Sequence, residues 1–159
     1  VPTSDDLDRL LAEEKALHFP HFNAETAWSL GKLIHDTAAA RDHAVAIEIV
    51  VNGQKLFFSA LPGATLNNEQ WIRRKGAVAR MFQHSSLFKT WEADVIGKPF
   101  NARYALPEDE YAASGGAMPI FVAGTGCVGT VVVSGLPMVE DHKLIVECMT
   151  KLITEMRTN

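Results

Sequence analysis

The chain has 159 residues, of which 47% are hydrophobic and 21% charged, enough apolar content for one domain whose core needs no staple. Fifteen Lys and Arg against nineteen Asp and Glu leave a net charge of −4, which gives no general attraction to phosphate backbones or anionic lipid and makes a nucleic-acid partner unexpected. No apolar run is long enough to cross a bilayer, and VPTSDDLDRL lacks both the basic start and the apolar core of a secretory signal. The two cysteines, Cys127 and Cys148, fall inside apolar patterns, so reduced thiols, no membrane association and a cytoplasmic location are expected.

Thr3 and Ser4 precede Leu7, Leu10 and Leu11, which predicts a short amphipathic helix to about Lys15. HFPHFN interrupts it. Asn23 is placed to cap a second helix, with Ala27, Leu30, Gly31, Ile34 and Ala38 on one face and Gly31 suited to close packing on a sheet. Val45, Ile47, Ile49 and Val51 alternate, Asn52-Gly53 follows, and QKLFFSAL returns. Asn-Gly between two such runs tolerates the positive φ of a type I′ turn and predicts a hairpin. Asn67 with Gln70 resembles a capping box for a third helix, with Trp71, Lys75, Val78, Ala79 and Phe82 along one face and an end near His84 to Phe88.

From Lys89 to Ser114 the pattern weakens, with Gly97, Pro99 and Pro107 as breakers, and a long irregular connection is expected. After Gly115-Gly116, MPIFVA and CVGTVVVS form a second hairpin around Gly124-Thr125-Gly126, and Pro119 favours an edge position for its first strand. Pro137 opens a last helix with Glu140 and Asp141 in its first turn and Ile145, Cys148, Met149, Leu152 and Met156 as its apolar stripe. Two hairpins separated by a helix, with helices at both ends, give an α+β class: an antiparallel sheet covered by helices within a single domain over residues 1–159. Residues 1–20 form an N-terminal helix and connection, and 21–159 form the core.

Gly115-Gly116-x-x-Pro119-Ile120, then Gly126, Val128-Gly129, Val133-Ser134-Gly135 and Asp141, resemble the core motif of the GlcG/HbpS-like family, often labelled heme-degrading domain. Trp71-Ile72-Arg73-Arg74-Lys75, Phe82, His84-Ser85-Ser86, Tyr111-Ala112-Ala113 and Ser134-Gly135-Leu136-Pro137 are similar to an uncharacterised bacterial and fungal branch of it. The resemblance spans roughly Asn52 to the C-terminus. It implies a profilin-like or PAS-like layout with about five strands and helices on both faces, a homo-oligomer, and haem or another anionic ligand as the cofactor to test.

Lys75 stands where the family's I-x-x-K-x-x-x-A pattern, here Ile72 to Ala79, has its lysine. Its spacing to Trp71, Val78 and Phe82 puts it on an apolar helix face, where a charge needs a partner. Arg73, Arg74 and Arg80 make the same helix basic, which suits a carboxylate or a haem propionate, although a solvated charged face is the plainer reading. The ligand-binding candidates are Trp71, Arg74, Lys75, Ser85, Gly115, Gly116, Ser134 and Gly135. His84 and His142 are the catalytic candidates, as iron ligand or proton donor, against plainer roles at a helix end and on the surface. Trp71, Phe82 and Met118 suit either a flat porphyrin pocket or the core.

His18 and His21 lack further ligands at a convincing spacing, and no metal site is expected. Ser134 lacks the nucleophile-elbow context, and its segment is expected to cap the last helix, whose free N–H groups suit an anion if the site is open. Three readings follow: an oligomeric, non-enzymatic module for a small anionic or haem-like ligand; a haem-degrading enzyme using bound haem, reductant and oxygen; or an assembly protein that recruits partners through a free sheet edge.

Overall fold

A computed structural model describing all 159 residues resolves these patterns into six helices and five strands. In chain order they are α1 (Ser4–Ala16), β1 (His18–Phe19), α2 (Ala24–Ala40), β2 (Ala46–Val51), β3 (Gln54–Ala60), α3 (Leu66–Phe82), α4 (Ser86–Ile96), α5 (Phe100–Tyr104), β4 (Ala117–Val122), β5 (Gly126–Ser134) and α6 (Met138–Thr158). Asn52 and Gly53 take φ of 50° and 80°, the double positive turn that their residue types permit, and fold β3 back on β2. The sheet order is β1-β4-β5-β2-β3, antiparallel throughout except for the two-residue parallel pairing of β1 with β4.

Helices cover both faces, as an α+β sheet with two apolar sides requires. On one side α2 and α6 bury Leu30, Ile34, Ile145 and Met149 against Ile47, Ile49, Met118, Ile120, Val131 and Val133. Gly31 brings α2 onto the ring of Phe57, where a Cβ would have no room. On the other side α3 lies over β4 and β5 through a smaller cluster of Ile72, Ala79, Ala46, Ala117 and Val132. A third, separate cluster of Leu10, Leu87 and Phe88 fastens α1 to α4.

Several expectations are corrected. The stretch after Lys89 is helical: the Ser85 hydroxyl caps α4 by accepting from the Phe88 N–H at 3.1 Å, Leu87 and Phe88 supply its buried face, and Gly97 ends it at φ 77°. Pro99 then precedes the short α5. HFPHFN is not merely an interruption, because His18 and Phe19 pair with Phe121 and Val122. Thr65 and Asn68, rather than Asn67 and Gln70, form the reciprocal cap of α3. Pro119 lies in an interior strand, yet β1 reaches only Phe121 and Val122, so the missing donor at Pro119 faces no neighbour. Phe82 packs on Phe100 and Tyr104, while Met118 is buried beneath α6, on the opposite face of the sheet.

Candidate functional site

Lys75 is 2% exposed in the middle of α3, and Gly76 beside it lets the helix approach Val132. Its ammonium donates to the Gly115 carbonyl at 3.0 Å, the Val133 carbonyl at 2.6 Å and Asp141 Oδ2 at 3.2 Å. Three N–H groups thus meet three acceptors, which satisfies a charge that burial would otherwise penalise. Burial lowers the Lys75 pKa and raises that of Asp141, and in each case the partner's charge opposes the shift.

The glycine pair makes this seat. Gly116 takes φ 124°, and a Cβ there would strike the Lys75 amine and the Val133 carbonyl; a Cβ on Gly115 would lie 2.5 Å from the Met138 carbonyl. Asp141 also accepts from the Leu136 N–H through Oδ1 at 2.9 Å and so ties down the entrance of α6. That corrects the role expected for Ser134. Pro137 is the N-cap with no side-chain cap, and the Ser134 hydroxyl instead lies 3.4 Å from Asn68 Nδ2.

Above the pair lies a cleft of about 270 Å³ between the first turns of α3 and the β5–α6 corner. Asn67, Asn68 and Trp71 line it from α3, and Ser114, Ser134, Gly135 and Met138 from the opposite side, with Lys75 and Asp141 at its floor. The Arg74 guanidinium stacks 4.7 Å from the Trp71 ring, and its Nε donates to the Glu108 carbonyl at 2.9 Å. Of the ligand-binding candidates, Trp71, Lys75, Ser134 and Gly135 line this cleft, Arg74 lies outside the lining and touches it through the Trp71 ring, and Gly115 and Gly116 support its floor. Ser85 lies elsewhere, fully buried at the start of α4, where its N–H donates to Glu14 Oε1 at 2.7 Å.

The two histidines belong to neither the cleft nor each other. His84 follows the end of α3, its Nδ1 2.8 Å from Glu14 Oε2 and its ring 4.8 Å from that of Phe88, with Nε2 left without a protein partner. His142 is 3% exposed, not at the surface. Its Nε2 lies 2.6 Å from Glu13 Oε1, and its Nδ1 is buried with no partner.

Adjacent glutamates of α1 therefore hold both imidazoles, a feature that sequence reading missed. Its trace was available, since Glu14 continues the Leu7, Leu10, Leu11 stripe and is 5% exposed. In the sequence Asn67 carries only a helix-cap signal and Asn68 no signal of its own, and only the return of β5 onto α3 makes the two amides a wall.

A curated UPF0303 protein of Rhizobium rhizogenes is 46% identical over 144 residues, covering 91% of this chain and 88% of that protein. The crystal structure of the Ybr137w protein superposes with a TM-score of 0.87 at 29% identity, covering 94% of this chain and 88% of that one. A PduOC:heme complex shares the fold at a TM-score of 0.69 and 16% identity, over 83% of this chain and 94% of that one. Residues 22–150 match the family described as haem degrading protein HbpS-like, and the chain belongs to that family.

Proposed function

We propose that the chain is a small-ligand-binding module whose site is the cleft over the Lys75–Asp141 pair, taking a flat, hydrogen-bonding anion. One observation carries this reading: an aromatic wall, two amides and two hydroxyls converge on a floor whose charges already cancel, with the Arg74 guanidinium stacked on that aromatic wall. The floor offers neither a free base nor a nucleophile, so binding is the role it supports. Drug-sized pockets hold roughly 300–1,000 Å³. A cleft of about 270 Å³ suits a small carboxylate, or one edge of a larger molecule such as a haem propionate. Self-association belongs to the same reading, supported by the unpaired outer edge of β3, beside which Trp28 and Phe58 are exposed.

Titration with haem, followed at the Soret band, and with a panel of small carboxylates, followed by isothermal titration calorimetry, tests the proposal. Saturable binding that Trp71→Ala and Arg74→Ala abolish is expected. No response to any member of the panel, or binding indifferent to both substitutions, would remove it. Native mass spectrometry reports subunit number and ligand mass in one spectrum.

A second reading, breakdown of bound haem with an external reductant and oxygen, is supported by His84. A carboxylate on Nδ1 orients the ring and leaves Nε2 as the donor atom, the arrangement found behind many metal-ligating histidines. PduOC, a protein of the same fold, is described with haem. Haem turnover unchanged in His84→Ala and His142→Ala would sink this version.

A further inference from the structure

A second hollow, of about 350 Å³, lies where α1, α4 and α6 meet, apart from the cleft described above. Leu10, Leu87 and Val139 give it apolar walls, the half-buried Trp91 ring closes one side, and Glu13 with His142 lies at its floor.

The charge of this floor follows from the hydrogen bonds. His142 Nε2 must donate to reach the Glu13 carboxylate at 2.6 Å. The other ring nitrogen, Nδ1, is buried with no protein partner, so the Nε2 contact to Glu13 is the ring's one hydrogen bond within the protein. Only Oε1 of the Glu13 carboxylate is engaged by the ring. Its Oε2 has no protein partner.

Two cations, Arg9 and Lys143, also line the hollow, but neither pairs with Glu13. Arg9 is 75% exposed and pairs with Asp6 on its own helix; Lys143 is 68% exposed and lies 3.8 Å from Glu140 on its own. Asp6 is itself taken up by Thr3 and Arg9. What remains inside is one free carboxylate oxygen beside an indole, within apolar walls. An anion would be repelled there, whereas an ammonium group gains an ion pair and the face of the Trp91 ring.

We propose that this hollow is a binding site for a small organic ammonium, an amine cation carried on an apolar body. The ligand class is opposite in charge to that of the cleft over Lys75, so the two proposals stand or fall separately.

Isothermal titration of the full chain near neutral pH and low salt with phenethylammonium, phenethyl alcohol and hydrocinnamate tests it, since the three share a body and differ in charge. Phenethylammonium should bind saturably, about tenfold more tightly than the alcohol, and hydrocinnamate should not bind there. Glu13→Gln keeps an acceptor for the His142 N–H and removes the charge. It should reduce amine affinity to that of the alcohol, while Trp91→Ala weakens both and Trp28→Phe, on the outer face of α2, changes neither. Equal affinity for amine and alcohol, a preference for hydrocinnamate, or no saturable binding overturns the proposal. Should Glu13→Gln release α1, as loss of helical circular dichroism would reveal, the amine-to-alcohol ratio of the unaltered chain decides alone.

Discussion

Replacing Lys75 by Met removes the one cation that reaches the buried Asp141 carboxylate, while keeping the length and apolar stem of the side chain. The Gly115 and Val133 carbonyls lose their donor at the same time. Breaking one side of a buried ion pair costs about 3–5 kcal/mol, a fifth or more of the roughly 5–15 kcal/mol that holds a typical domain folded. Asp141→Leu should cost a similar amount, because it strands the ammonium and frees the Leu136 N–H.

The double variant strands no charge. Its unpartnered carbonyls are already present in Lys75→Met and its free N–H in Asp141→Leu, so with no charge left stranded it should be no less stable than either single variant. The coupling between the sites is then about 3 kcal/mol or more. Equilibrium urea unfolding of the four proteins, with unchanged denaturant slopes, measures it. Single costs below about 1 kcal/mol, or a double variant equal to the sum of the singles within ~0.5 kcal/mol, would refute the view that this pair holds α3, β5 and α6 together.

Gly31→Ala should destabilise the protein by about 1–3 kcal/mol even though alanine is the better helix former, because the added methyl lands on the buried Phe57 ring; thermal unfolding reads the sign directly, and a stabilised variant would show that α2 has room to shift. Arg41 makes two bonds to Glu147, at 3.0 and 2.7 Å, and its guanidinium holds that carboxyl below its ordinary 4.5. A depressed carboxylate contributes stability above its unfolded value, and the contribution disappears as pH falls through the folded one. The stability gap between parent and Glu147→Gln should therefore be present at neutral pH, close below 4.5, and shrink in high salt, as denaturant titrations across pH would show. A gap that widens toward acid would contradict the sign.

Both hairpins, the cap at Asn23, the start of α6 at Pro137 and the apolar faces of α2 and α6 were legible in the chain, because each rests on residues within a few positions of one another. Asn52-Gly53 dictates its turn by φ alone, and Ile145, Cys148 and Met149 mark their stripe by helical period. The helical nature of α4 was obscured by Gly97 and Pro99, which end that helix rather than preclude it. The cap at Ser85 and the apolar pair Leu87 and Phe88 were its local signal.

The site is a different matter. From spacing alone, Lys75 was a charge on an apolar face in need of a partner; that the partner is Asp141, 66 positions later, with carbonyls 40 and 58 positions away, depends on α3, β5 and α6 meeting at one corner. The same holds for Glu13 and His142, 129 positions apart. Periodicity and turn chemistry act over a few residues and so can be read from a string of letters. The pairing of buried charges is settled by the packing of distant segments, since only the assembled core excludes the water that would otherwise solvate them.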